Sequence, residues 1–236
     1  MSTPHFAGAA ERIGIAAGTP LHETVTVQTR FEVQRWDAEQ TGWLTRKFER
    51  DWGSLPSRPD FAFTPQHFGQ YGVEPYSATR EEDCNLIVQA GWVALLGGVA
   101  GTTITNKFSA TNARIGVGTS STAAAFSQTA LQGDSGGSST TSYYQLVSGS
   151  PVISTSSAPA TLVFSASFGT GVANFSWNEF GTDNYTASGV TATGLGAGVI
   201  FFNRGVSAQG TKASGQTWTA TETISFGYPS GSGTVS

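Results

Sequence analysis

From Glu23 to Gln34 apolar and polar residues alternate, with Val25, Val27, Phe31 and Val33 on one parity and Thr24, Thr26, Gln28, Arg30, Glu32 and Gln34 on the other. A period of two places successive side chains on opposite faces, so this stretch predicts a half-buried strand. A turn at Glu39–Gly42 then leads to Trp43–Phe48, which reads as its hairpin partner. The second clear alternation lies near the C-terminus. Trp218, Ala220, Ile224 and Phe226 share one parity, and Thr217, Thr219, Thr221, Thr223 and Ser225 share the other. Glu222 falls on the apolar side of that strand and needs a partner or an interface there. The other predicted strands are Ala113–Gly118, Ser142–Ser148, Thr161–Phe168, Val172–Phe180 and Val199–Arg204, with Gly/Ser/Thr spacers at Gly133–Thr141 and Gly189–Gly198. Short strands separated by Gly-rich turns indicate a mainly β fold, a β-sandwich or jelly-roll-like domain.

One helix is predicted before these strands. Thr79-Arg80-Glu81-Glu82 fits a capping box, and Leu86, Ile87, Val93, Ala94 and Leu96 recur at helical spacing until Gly97-Gly98 ends the run. Its expected task is to cover one face of the β domain. Residues 1–20 are Gly/Ala-rich and read as an arm that crosses to another subunit. Pro56, Pro59, Pro65 and Pro75, mixed with Phe61, Phe63, Phe68, Tyr71 and Tyr76, predict an irregular aromatic loop. The chain therefore divides into residues 1–83 (arm, strand pair and Pro/aromatic loop) and residues 84–236 (helix plus β-sandwich module).

Charge sharpens this picture. Residues 111–236 carry only seven charged side chains, Arg114, Asp134, Glu179, Asp183, Arg204, Lys212 and Glu222, whereas the first 110 residues carry 21. Disordered chains are also poor in core-forming residues, but this half is rich in aromatics and β-branched residues. It reads as a folded module with a hydroxyl-rich, neutral exterior, suited to assembly. A net charge of −4 without a basic run argues against nucleic-acid binding. Arg46, Lys47 and Arg50 are diluted by Glu49 and Asp51 and read as solvated surface. The single Cys84 excludes an internal disulfide, and His5, His22 and His67 lack metal-helix spacing, so no metal or cofactor is expected. No secretory signal is read at the N-terminus, and the apolar stretch from Leu86 to Val99 is too short and too broken to span a bilayer.

Four blocks carry a resemblance. Asn112-Ala113-Arg114-Ile115-Gly116-Val117-Gly118-Thr119-Ser120-Ser121-Thr122-Ala123-Ala124 is followed by Gln128-Thr129-Ala130-Leu131. The run from Phe168 to Gly181 contains Asn174-Phe175-Ser176-Trp177-Asn178-Glu179-Phe180. Phe202-Asn203-Arg204 with Gly210-Thr211-Lys212 comes next, and the strand from Trp218 to Phe226 closes the series. Together with the preceding Cys84–Leu96 segment, these resemble structural proteins of tailed-bacteriophage virions over about residues 84–227; residues 1–83 lie outside the resemblance. It implies a non-enzymatic virion component of tail, fibre or collar. The partners implied are other virion proteins and copies of the chain itself in closed, three-fold symmetry. Gly116 and Gly118 would allow a bulge or a close backbone approach. Phe168, Phe175, Trp177, Phe180 and Trp218 would supply large buried area to an intrachain core or a subunit interface.

Other chemistry is weaker. Gly133-Asp134-Ser135-Gly136-Gly137 reproduces the pentapeptide around the nucleophilic serine of trypsin-like proteases, which also needs an oriented histidine base. His67, in Pro65-Gln66-His67-Phe68-Gly69, does not resemble the usual histidine block, so the pentapeptide reads as a turn. Glu179 and Asp183 are read as an isolated surface pair rather than glycosidase carboxylates. Two non-enzymatic alternatives stand beside the tail reading. One is a decoration protein on the capsid head. The other is a carbohydrate- or receptor-binding module that contacts a host glycan, with Trp36, Trp43, Trp52 and Tyr71 exposed on loops to stack on sugars.

Overall fold

The computed structural model describes residues 26–56, 61–82, 85–101, 107–134, 140–154, 160–185 and 199–227. The predicted arm over residues 1–20, the spacer at Gly189–Gly198 and Cys84 lie outside them. Among the described residues ten strands form two five-stranded antiparallel sheets packed as a β-sandwich. The first sheet has the order β2(Ser77–Glu82), β1(Thr26–Trp36), β10(Thr217–Gly227), β7(Ala160–Phe168) and β6(Val152–Ser154). The second has the order β3(Asn85–Ile87), β9(Phe201–Thr211), β8(Ser176–Asp183), β4(Arg114–Gly118) and β5(Ser142–Leu146). The first sheet draws strands from both sides of the boundary at residues 83 and 84, because β1 pairs with β10 along its whole length, from Thr26 opposite Gly227 to Trp36 opposite Thr217.

The inner faces meet through aromatic rings. Phe31 of β1 stacks on Phe180 of β8 with centroids 3.5 Å apart. Trp177 lies edge-on to Phe168 at 4.8 Å and to Trp218 at 4.9 Å, tying β8 to β7 and β10. Phe168, Phe175, Trp177, Phe180 and Trp218 all belong to this core within one chain. Trp177 and Phe180 are three residues apart, a spacing that would put them on opposite faces of a regular strand. A register shift between Trp177 and Glu179 lets both face inward, as a β-bulge does.

Three helices occur among the described residues, where one was expected. Trp43–Phe48 is not a hairpin partner but part of α1(Ala38–Trp52). Asp37 caps this helix by accepting from Gln40 N–H at 2.8 Å, and Gln40 Oε1 accepts from Asp37 N–H at 3.1 Å, a reciprocal box the alternation-based reading overlooked. Within the expected irregular loop, Pro65 starts α2(Pro65–Gln70). Trp36, Leu44, Phe63 and Phe68 form a second core under these two helices.

The capping box at Thr79–Glu82 does not start a helix. Those residues lie in β2, paired with β1 (Val33 opposite Thr79), and Leu86–Ile87 lie in β3. The third helix, α3(Gln89–Val99), begins later, at an N-cap without a capping side chain. Its start is fixed by backbone partners instead: Val88 N–H donates to Phe202 O at 3.1 Å and Gln89 N–H to Phe126 O at 2.8 Å. Tertiary pairing outcompeted a local cap signal worth only about 1 kcal/mol.

Candidate functional site

All seven charged side chains of residues 111–236 are buried, so this half presents no charged side chain to its surroundings. They are organised rather than merely tolerated. On the second sheet, Glu179 of β8 is the hub. Its Oε1 accepts from Gly133 N–H at 2.6 Å and Ser120 N–H at 3.3 Å. Its Oε2 accepts from Gln132 N–H at 2.8 Å and Arg204 Nε at 2.7 Å. Arg204 of β9 also donates to Gln128 Oε1 at 3.1 Å. One carboxylate thus ties the segment from Ser120 to Gly133 onto the sheet.

Two glycines make room for this hub. A Cβ on Gly118 would lie 2.4 Å from Glu179 Oε1, and one on Gly133 would lie 2.8 Å from the same atom. At Gly116 a Cβ would meet the Tyr144 ring at 2.5 Å. Gly116 and Gly118 therefore admit side chains, Tyr144 and Glu179, rather than a second backbone, and the register shifts fall on β8–β9 instead of β4.

One strand pair further along, Arg114 and Asp183 form a buried two-pronged ion pair, with Arg114 Nε 2.7 Å from Asp183 Oδ1. The guanidinium lies between the rings of Tyr144 (4.5 Å) and Tyr185 (4.8 Å). Burial pushes the Asp183 carboxyl above its ordinary range, and Arg114 opposes that shift. Glu179 and Asp183 are not an exposed surface pair: both are buried, and each has its own arginine.

Two further buried charges, Lys212 and Glu222, have no ionic partner among the described residues. Lys212 donates to Gly169 O (2.7 Å), Val172 O (3.0 Å) and Asn174 Oδ1 (2.8 Å), filling its three N–H positions while holding the turn before β8. Burial lowers its pKa to about 7. Glu222, which the alternation singled out, lies between the sheets and accepts from Thr182 Oγ1, Asn203 Nδ2 and Asn85 Nδ2. Burial raises its pKa to about 7. In the protease-like pentapeptide, Gly133 spends its N–H on Glu179 and Asp134 is buried, while Ser135, Gly136 and Gly137 lie outside the described residues.

The outer surface has the opposite character. α3 carries no charged residue, and Val93 and Leu96 are each 63% exposed and Val99 89%. Trp92 of the same helix and Phe126 nearby are also exposed. On the edge strand β6, Val152 and Ile153 face outward. Single exposed apolar residues need no explanation, but this many on one short helix form a patch. The other side of α3 packs on β9, where a Cβ on Gly91 would lie 2.1 Å from Phe202 O. Because that neighbour is backbone, Gly91→Ala is expected to push α3 off the sheet and cost about 2 kcal/mol. A urea midpoint unchanged from wild type would contradict this packing.

The aromatic residues proposed to stack on sugars are placed differently from expectation. Trp36 is buried at the end of β1, Trp43 and Trp52 are exposed as expected but on α1 rather than on a loop, and Tyr71 packs half-buried against the second core. Sequence reasoning missed Arg114, Arg204 and Lys212. A signal for the two arginines was present: so few charges in a half this neutral, with cations and anions close to balance, suit internal pairing. The chain matches no protein-family model, no curated protein and no solved structure.

Proposed function

We propose that the chain is a non-enzymatic structural component of a tailed-phage virion, in tail, fibre or collar, that assembles with copies of itself and with neighbouring virion proteins. The observation that carries this reading is the inverted charge distribution: all the charge of residues 111–236 is internal, so these residues present no charged side chain, and α3 beside them adds an apolar face. A neutral surface lets identical copies approach without like-charge repulsion, which a symmetric assembly must otherwise offset. The uncharged face of α3, with Val93, Leu96 and Val99, supplies apolar area for such a contact. The sequence blocks between residues 84 and 227 point the same way.

Two measurements test the proposal. Light scattering after size exclusion is expected to give a multiple of the chain mass for wild type and a monomer for Val93→Lys/Leu96→Lys, because two ammonium groups would be desolvated at the contact. Gold-labelled antibody on source particles is expected to mark the tail. Label spread over the head would replace the tail assignment with capsid decoration. A wild-type monomer that is absent from particles would sink the structural reading altogether.

A further inference from the structure

A cleft of about 370 Å³ opens where the chain crosses from one sheet to the other after β5. Its walls come from the segment leading into α2 (Phe61, Thr64, His67), from β5 and the residues after it (Gln145, Ser148), and from β7 (Ser167). Ala110 stands at its rim. None of the described lining residues is Asp, Glu, Lys or Arg, in a molecule with charged residues elsewhere on α1 and β2. Gln145 and Ser167 are buried polar side chains in the wall, 4% and 2% exposed.

The histidine has a defined role. Its Nδ1 accepts from Thr64 N–H at 3.1 Å, so the ring proton resides on Nε2, which has no partner among the described residues. Burial lowers the His67 pKa and favours this neutral form. The cleft therefore offers an aromatic ring, a neutral N–H donor, an amide and the Ser148 hydroxyl, while the hydroxyls of Thr64 and Ser167 are paired with His67 and Thr219. Among the described residues it has no carboxylate to hold a cation and no cation to hold an anion or phosphate.

We propose that this cleft binds a neutral saccharide of one or two rings, with the sugar's C–H face against Phe61 and its hydroxyls paired with His67, Gln145 and Ser148. The volume lies near the lower end of the range of about 300–1,000 Å³ usual for small-ligand sites, too small for a long polymer segment. An extended peptide fits less well. Adding a strand needs a run of free backbone groups, and here the N–H of Val147 already donates to Ala113 O at 2.9 Å and that of Ser148 to Ser165 O at 2.7 Å. The site is distinct from the tryptophans of α1, and the inference does not rest on a virion role. A free, soluble form of the chain would bind in the same way.

The test is an NMR titration of the full chain, following the His67 ring signal. The probes are methyl α-glucoside, N-acetylglucosamine, maltose and lactose, each taken to about 50 mM, since an uncharged shallow site is expected to bind near Kd about 1 mM. The expected result is a saturable shift with at least one sugar, weakened about tenfold or more by Ala110→Trp, which fills the cleft from its exposed rim. Ser148→Trp, at another exposed lining residue, gives the same readout should the first variant misfold. Three outcomes overturn the proposal: no response to any sugar, binding undiminished in both blocking variants, or saturation by N-acetyl-alanyl-alanine amide with no response to the sugars.

Discussion

Glu179→Ala is expected to lower stability by about 3–5 kcal/mol, a large part of the roughly 5–15 kcal/mol that holds most domains folded. The loss has two sources. Arg204, fully buried, would keep only its contact with Gln128, leaving a charge without its carboxylate. The N–H groups of Ser120, Gln132 and Gly133 would also lose their acceptor together, so the covering segment would detach from the sheet. Glu179→Gln should fare little better, because its amide nitrogen must face a donor. The double variant Glu179→Met/Arg204→Met should recover much of the loss, since removing both partners removes the unpaired charge. Urea midpoints read by tryptophan fluorescence decide the matter. An alanine variant within about 1 kcal/mol of wild type would mean that the hub behaves like an exposed ion pair.

That hub was invisible in the sequence for an instructive reason. Glu179 and Asp183 are four residues apart, and with acids so sparse they read as a lone pair. Their arginines come from β4 and β9, and only the sheet order brings Arg114 beside Asp183 and Arg204 beside Glu179. Strands with one apolar face were legible: β1, β7 and β10 fall within two residues of their predicted ends, the predicted start of β1 at Glu23 lying outside the described residues. The start of β8 was placed four residues early, because the chain first makes a turn in which Ala173 adopts a φ of 55° and Lys212 gathers the carbonyl oxygens. That turn is built by a residue almost forty positions away, so no local pattern reports it. The cleft at His67 is similar, with walls drawn from three separate parts of the chain. β6 was missed because it is three residues long and exposed on both faces.

Helices failed for a different reason. α1 has a sound capping box at Asp37 and Gln40, but the alternation before it suggested a hairpin, and the pairing partner of β1 is the distant β10. At Thr79–Glu82 a genuine capping pattern sits in a strand, since pairing with β1 offers six residues a ladder and a cap satisfies two or three N–H groups. The apolar run that follows does form a helix. It covers the sheet with one side only, and the uncovered side is where the assembly reading places its contact.

Glu222 gives the second large effect, and its sign can be worked out. Its carboxyl has an ordinary value of 4.5 and is raised by burial to about 7 in the fold, with Thr182, Asn203 and Asn85 opposing the shift. The folded chain therefore holds this proton more tightly than the unfolded chain. The associated stability is present in full below the unfolded value and is lost as pH rises through the folded one, to the extent of about 3 kcal/mol. Lys212 acts in the opposite sense. Lowered from 10.5 to about 7, it loses its proton more readily when folded, so stability returns as pH rises between those values. The two groups together produce a trough centred near pH 7. Glu222→Gln keeps an oxygen for two of the three donors and removes the titration. The difference between variant and wild-type urea stability is therefore expected to grow by about 3 kcal/mol between mildly acidic and mildly alkaline pH, while titrations elsewhere cancel. A flat difference curve would show that Thr182, Asn203 and Asn85 solvate the buried carboxylate as well as water does. Lys212→Met should in turn abolish the alkaline recovery, at the cost of freeing the carbonyls of Gly169 and Val172 in the turn before β8.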